Sequence, residues 1–244
     1  MAGEVIHYPR RRVIRAILRA GIAAALGTIS DIDIQGKENI PSEGPLLIVG
    51  NHFSFLDPVV MIRVSPFPVE FVGGPTTPNA PAWSEMFRRA WGILQIRRGA
   101  SSRDGLLAAE SVLKQKGVLA IFPEGGSWAA VLRPPRPGAA LLAARTPAKI
   151  LPVGLDGLVD VFPFLRKGKR AKVTVRFGKP FGPLTLERKD ASIRQRMDEI
   201  GHEMMRSISP LLPPERRGYY SDDPAIRDAA KGTEVYPWEL TPET

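Results

Sequence analysis

Residues 45–50 read Pro-Leu-Leu-Ile-Val-Gly, an apolar run with no polar alternation. A strand that is apolar on both sides has to be covered on both sides. The run therefore predicts an interior strand of a sheet that carries helices. Residues 59–62, Val-Val-Met-Ile, begin a helix. Between the two lies Asn51-His52-Phe53-Ser54-Phe55-Leu56-Asp57-Pro58, which sets a histidine and a carboxylate five residues apart in a strand-to-helix turn. Loops at the carboxyl ends of strands are where α/β folds place their chemistry.

The same alternation runs along the chain. Residues 118–122 form a second wholly apolar strand. Further strands are predicted at 69–73, 92–96, 148–153 and 171–177, and a short edge strand at 32–36. Helices are predicted up to residue 65, at 83–91, at 102–116, at 138–145 and at 190–212. Leu106, Leu107, Ala109, Val112 and Leu113 give one of them an apolar face, and Gly117 ends it. Strands alternating with helices imply a single α/β domain with a mixed, largely parallel sheet flanked by helices. The domain is expected over 31–212, after an N-terminal segment at 1–30. Residues 213–244 are rich in charge and turn residues and read as an extended or disordered arm.

Residues 10–27 predict a basic amphipathic helix. Arg12, Arg15 and Arg19 share one side, and Val13, Ile14, Ile17, Leu18 and Ile22 fill the rest. The uncharged run after Arg19 is about half the length that spans a bilayer. The reading is a helix lying in a membrane interface, and the alternative is a terminal helix packed on the domain. Charge supports the first: 34 Lys and Arg against 25 Asp and Glu leave a net +9, which favours anionic partners. There is no cysteine for a thiolate nucleophile or a Cys-based metal site, and three histidines are too few for a His-rich one. Neither a Walker loop nor a GxGxxG fingerprint is present, so nucleotide hydrolysis and dinucleotide binding have no support. Aromatic residues make up only 7% and no stacking motif appears, which argues against nucleic acid.

Three places can carry chemistry. On one continuous helix His52 and Asp57 would point roughly 140° apart. With His52 in the loop and Asp57 opening the helix, they can meet. Asp57-Pro58 is also a plain helix start, so Asp57 reads equally as a cap or as the carboxylate that orients a histidine base. Glu124 follows an apolar strand and precedes Gly125 and Gly126, a position suited to a ligand approaching the backbone. Arg97 and Arg98 also lie at a strand end, where a guanidinium fork suits phosphate.

Taken in order, these blocks resemble the glycerolipid acyltransferase family, the 1-acylglycerol-3-phosphate acyltransferases. NHFSFLD is similar to the family's NHxxxxD box, and GILQIRRG, FPEGG and ILPVGLDG to the three blocks that follow. All four stand in family order across residues 32–180. The resemblance implies a glycerol-3-phosphate acyltransferase-like fold. It implies transfer of a fatty acyl group from acyl-CoA or acyl carrier protein to a lysophospholipid or glycerophosphate hydroxyl. His52 would be the base and Asp57 its orienter, with Asn51, Arg97, Glu124 and Gly125 binding substrate. No metal or bound cofactor is implied. The expected location is the cytoplasmic face of the cell membrane, held peripherally on an anionic surface. A non-enzymatic lipid-binding protein keeping the same fold is the competing reading.

The chain departs from the family pattern after Gly125. Many members continue FPEGTRS, whereas here Gly126, Ser127 and Trp128 replace the hydroxyl and the arginine. Arg133 or Arg136 is a candidate substitute for the lost cation. Trp128 suggests a different acceptor or a shaped acyl pocket.

Overall fold

A computed structural model describes residues 6–74, 80–81, 83–95, 102–184 and 192–235. In chain order these form α1 (Arg12–Ile29), β1 (Ser30–Gln35), β2 (Leu46–Gly50), α2 (Asp57–Val64), β3 (Val69–Gly73), α3 (Trp83–Trp91) and β4 (Leu94–Gln95). They continue with α4 (Ser102–Lys114), β5 (Val118–Ile121), α5 (Pro137–Arg145), β6 (Lys149–Asp156), α6 (Val161–Leu165), β7 (Ala171–Phe177), α7 (Ile193–Ile208) and α8 (Pro224–Ala230). The strands make one sheet in the order β1-β7-β6-β2-β5-β3-β4. Among the described strand pairs only β6–β7 is antiparallel, and a single antiparallel bridge joins Ile150 to Phe181.

The unbroken apolar strands are explained by two cores. Leu46 and Ile48 of β2, with Val118 and Ala120 of β5, face the side covered by α1, α2 and α3. Leu47, Val49, Leu119 and Ile121 face the side covered by α4, α5 and α7. Each such side chain contributes about 1.5–3 kcal/mol by leaving water. The register also positions the site. Val49 pairs with Ile121 on one side and with Pro152 on the other. The chain therefore leaves β2 and β5 side by side, with residues 51–57 and 122–126 as neighbours.

Several expectations change. The helix at the N-terminus forms, but Arg15 and Arg19 turn inward while Arg12 stays exposed. Arg15 is buried and forms an ion pair with Glu70 of β3 at 2.6 Å, its guanidinium 4.9 Å from the centre of the Trp91 ring. Arg10 joins the same carboxylate, and Arg19 donates to the Ser65 carbonyl. Val13, Ile14 and Ile17 are left outside, 50–74% exposed. The cause is the buried Glu70, which demands cations from the element above it. Among the described residues no helix is long and apolar enough to cross a membrane.

The C-terminal residues up to 235 are not extended. They fold into short helical turns and α8, and the Leu132 carbonyl accepts the Tyr219 N–H at 3.1 Å. The helix expected to run to 212 ends at Ile208, where Pro210 continues it as a single tight turn. The turn after α4 takes its left-handed residue at Lys116 (φ 57°) rather than at Gly117. Gly117 is needed for space, because a Cβ there would lie 2.7 Å from the Val112 carbonyl oxygen. α6 was not predicted at all, being only five residues long.

Candidate active site

Asp57 opens α2 and is 1% exposed. Its Oδ2 accepts from His52 Nδ1 at 2.8 Å and from the Ser54 N–H at 2.8 Å. The Asp57 N–H donates back to the Ser54 carbonyl at 3.1 Å, so the loop is closed on itself. The cap reading of Asp57 does not hold, because Leu56 stands at the cap position and no side chain caps the helix. Asp57 is the first helical residue, and its carboxylate closes the turn on Ser54 and touches the imidazole. Its other oxygen, Oδ1, is buried with no hydrogen-bond partner among the described residues. Burial pushes the carboxyl up from the usual range, while the His52 contact and the Ser54 N–H pull it back.

The imidazole of His52 stacks on Phe122 with ring centres 4.3 Å apart and planes 19° apart. Phe122 leaves β5 beside the loop, so packing fixes the ring plane while Asp57 fixes its rotation. Nδ1 faces the carboxylate, and a ring proton held there would leave Nε2 as the free nitrogen. No described residue bonds to Nε2.

Glu124 stands on the other side of the loop, also 1% exposed. Its Oε1 accepts the backbone N–H of His52 at 2.7 Å, and its Oε2 accepts Arg133 Nε at 2.9 Å. The guanidinium of Arg133, itself 1% exposed, donates to the carbonyls of His52 (3.3 Å) and Gly126. Burial raises the Glu124 carboxyl to about 7, opposed chiefly by the charge of Arg133. Glu124 thus holds the backbone of the histidine, and its expected contact with substrate is not what its buried oxygens do here. Arg133 is likewise an internal partner and not an open anion site. Only position in the fold reveals this, since nothing in Leu132-Arg133-Pro134 marks the arginine for Glu124.

Asn51 is fully buried, and its amide bonds both the carbonyl and the N–H of Leu155 on β6, at 2.8 and 2.7 Å. It ties the loop to the sheet. Gly125 closes the turn from Phe122 with φ 80°, a conformation that favours glycine, and is exposed. Arg97 and Arg98 lie outside the described residues. Trp128 does not stand apart as a pocket wall. Its ring lies 3.7 Å from the Arg133 guanidinium carbon, and its Nε1 donates to the Thr233 carbonyl at 2.7 Å. Among the described residues no cluster of His, Asp and Glu could hold a metal ion.

The protein-family model described as Acyltransferase matches residues 31–156, which include His52, Asp57 and Glu124. The chain is 27% identical over 134 residues to the 1-acyl-sn-glycerol-3-phosphate acyltransferase of Borreliella burgdorferi. That stretch is 54% of this chain and 53% of the relative, so the chain spans about half the relative's length. The fold is similar to the crystal structure of the 1-acyl-sn-glycerophosphate (LPA) acyltransferase PlsC from Thermotoga maritima. The TM-score is 0.57 at 20% identity, over 84% of each chain. The family match covers more than half of the 244 residues and encloses the His52–Asp57 pair, and on that ground the chain belongs to the Acyltransferase family.

Proposed function

We propose that the protein moves a fatty acyl group from a thioester carrier, acyl-CoA or acyl carrier protein, to the free hydroxyl of 1-acylglycerol-3-phosphate or a closely related lysophospholipid. The observation that carries the reading is the 2.8 Å contact between His52 Nδ1 and Asp57, with Nε2 left unbonded by any described residue. Nε2 takes the proton of the acceptor hydroxyl as its oxygen attacks the thioester carbonyl carbon. The C–S bond then breaks, and the leaving thiolate receives that proton from the imidazolium. Asp57 stabilises the imidazolium in between and keeps the proton of the resting ring on Nδ1.

The working place in this reading is the cytoplasmic face of the cell membrane. It is supported by Val13, Ile14 and Ile17, which α1 exposes while Arg15 and Arg19 are held by the domain. Purified protein given an acyl-CoA and 1-acylglycerol-3-phosphate should release free thiol. His52→Ala should lower the rate by about 10²–10⁴-fold while remaining folded, the usual contribution of a general base. A folded variant with full activity would overturn the assignment.

A further inference from the structure

β6 and β7 are antiparallel neighbours, so the chain between them has to reverse at once. It does so through α6 and a closed turn. Gly168, at φ 64°, donates its N–H to the Leu165 carbonyl at 3.0 Å, and Lys169 donates to the Phe164 carbonyl at 3.0 Å. This paired pattern closes a helix on a left-handed glycine and fixes the backbone of the tip.

The two sides of this turn differ sharply. Inward, Val161 is fully buried, and Phe162 stacks on Phe55 with ring centres 5.7 Å apart. Phe55 belongs to the loop between His52 and Asp57, so the turn braces the candidate catalytic loop. Outward, every residue from 163 to 170 is exposed. Phe164 and Leu165 expose 39% and 45% of their surface. Arg166, Lys167, Lys169 and Arg170 follow directly, and no acidic residue occurs between Val161 and Phe177. Arg170 shares its charge with Asp31 at 2.7 Å, whereas Arg166, Lys167 and Lys169 have no ion pair with any described residue.

A turn that only reverses the chain needs neither an exposed Phe-Leu pair nor three unneutralised cations beside it. Apolar side chains at a rigid tip, ringed by basic side chains whose stems lie along an apolar surface, match an anionic bilayer surface. Phe162 and Val161 pack in the same core as Ile22 and Leu26 of α1. The tip and the exposed Val13, Ile14 and Ile17 therefore lie on one side of the sheet. We propose that the α6 turn is a lipid-surface contact. Phe164 and Leu165 enter the interface, Arg166, Lys167 and Lys169 meet anionic headgroups, and the His52–Asp57 loop is seated at the membrane that holds the acceptor. The last step rests on the acceptor being a lipid, as argued above.

The test is partition of the full chain onto phosphatidylcholine vesicles with and without phosphatidylglycerol, read by co-sedimentation. The triple variant R166Q/K167Q/K169Q should weaken binding to the anionic vesicles roughly 100-fold, at roughly fivefold per cation, and leave the neutral ones unaffected. Phe164→Ser with Leu165→Ser should weaken binding to both by about tenfold or more. Turnover of a vesicle-borne acceptor should then fall more than turnover of a dissolved short-chain one. Both variants partitioning like the parent protein would overturn the proposal. So would unchanged partition with loss of binding to an acidic acyl carrier protein, which would make the tip a protein-docking site. Binding is read without turnover, so an inactive protein still decides the contact. An active protein with unchanged partition removes the contact and leaves the acyltransferase reading standing.

Discussion

Asp57 and Glu124 are both 1% exposed, sit on adjacent sides of one loop and have carboxyls raised by burial. They nevertheless do different work. Asp57 touches the imidazole of His52, and in the proposed mechanism it determines which nitrogen is basic. Glu124 accepts the backbone N–H of His52 and both the backbone N–H and the Nε–H of Arg133, so it bears on where the histidine stands. The lesson is that a conspicuous acid at a strand end can be part of the frame. The chemistry depends on what faces the ring, and the location depends on what faces the chain.

The largest effect should follow from Asp57→Asn. Oδ2 accepts from both His52 Nδ1 and the Ser54 N–H, so an amide that keeps its oxygen there keeps both contacts and the turn but loses the charge that would stabilise the imidazolium. The expected loss in kcat is on the order of 10³–10⁴-fold, with the unfolding midpoint little changed. Thiol release and urea unfolding on one preparation check both halves. If kcat stays within about tenfold of the parent, Asp57 only closes the helix start and the two carboxylates are not different in kind.

Glu124→Gln should act on stability more than on kcat, and its signature is pH. A carboxyl raised to about 7 in the folded chain from an ordinary value of 4.5 is protonated in the folded state and ionised in the unfolded state across that window. The folded state then holds more protons, so stability falls as pH rises from about 4.5 to 7. The parent should lose on the order of 3 kcal/mol relative to Glu124→Gln over that range, at about 1.4 kcal/mol per unit. Urea unfolding at several pH values measures it. A difference independent of pH would mean that Arg133 keeps Glu124 ionised throughout.

The sequence made one side of this comparison readable and hid the other. His52 and Asp57 are five residues apart, and the apolar run before them with Pro58 after them announces strand, loop and helix. Glu124 takes one partner from nearby, Arg133, but the other, His52, lies 72 positions away, and Trp128 beside Arg133 is braced by Thr233 at a separation of 105. No periodicity reports such pairings, because they depend on the register that sets β2 beside β5. Periodicity likewise gave α1 two faces without saying which one meets the domain. Glu70 decides that, and in sequence Glu70 is only one polar residue inside a short strand. The paired turn at α6 was invisible for a simpler reason, since five residues are too few to show a helical period.

The smallest effect, and the finest test of the division, comes from Trp128. Trp128→Leu removes the ring from the Arg133 guanidinium and the N–H bond to the Thr233 carbonyl. Together these should lower stability by about 1–2 kcal/mol, with kcat reduced less than in Asp57→Asn. Combined with Glu124→Gln, the loss should depart from additivity by about 0.5–1 kcal/mol, because Trp128 reaches Glu124 through Arg133. Combined with Asp57→Asn, it should be closer to additive in stability, because the Arg133 guanidinium beside Trp128 bonds the carboxylate of Glu124 directly and reaches the His52 side of the loop only at its backbone carbonyl. Equal coupling in both pairs would mean that the loop responds as one rigid unit and that the C-terminal arm bears on the imidazole as directly as on the frame. Coupling confined to Glu124 would show that the arm braces the position of His52 and leaves its proton chemistry to Asp57.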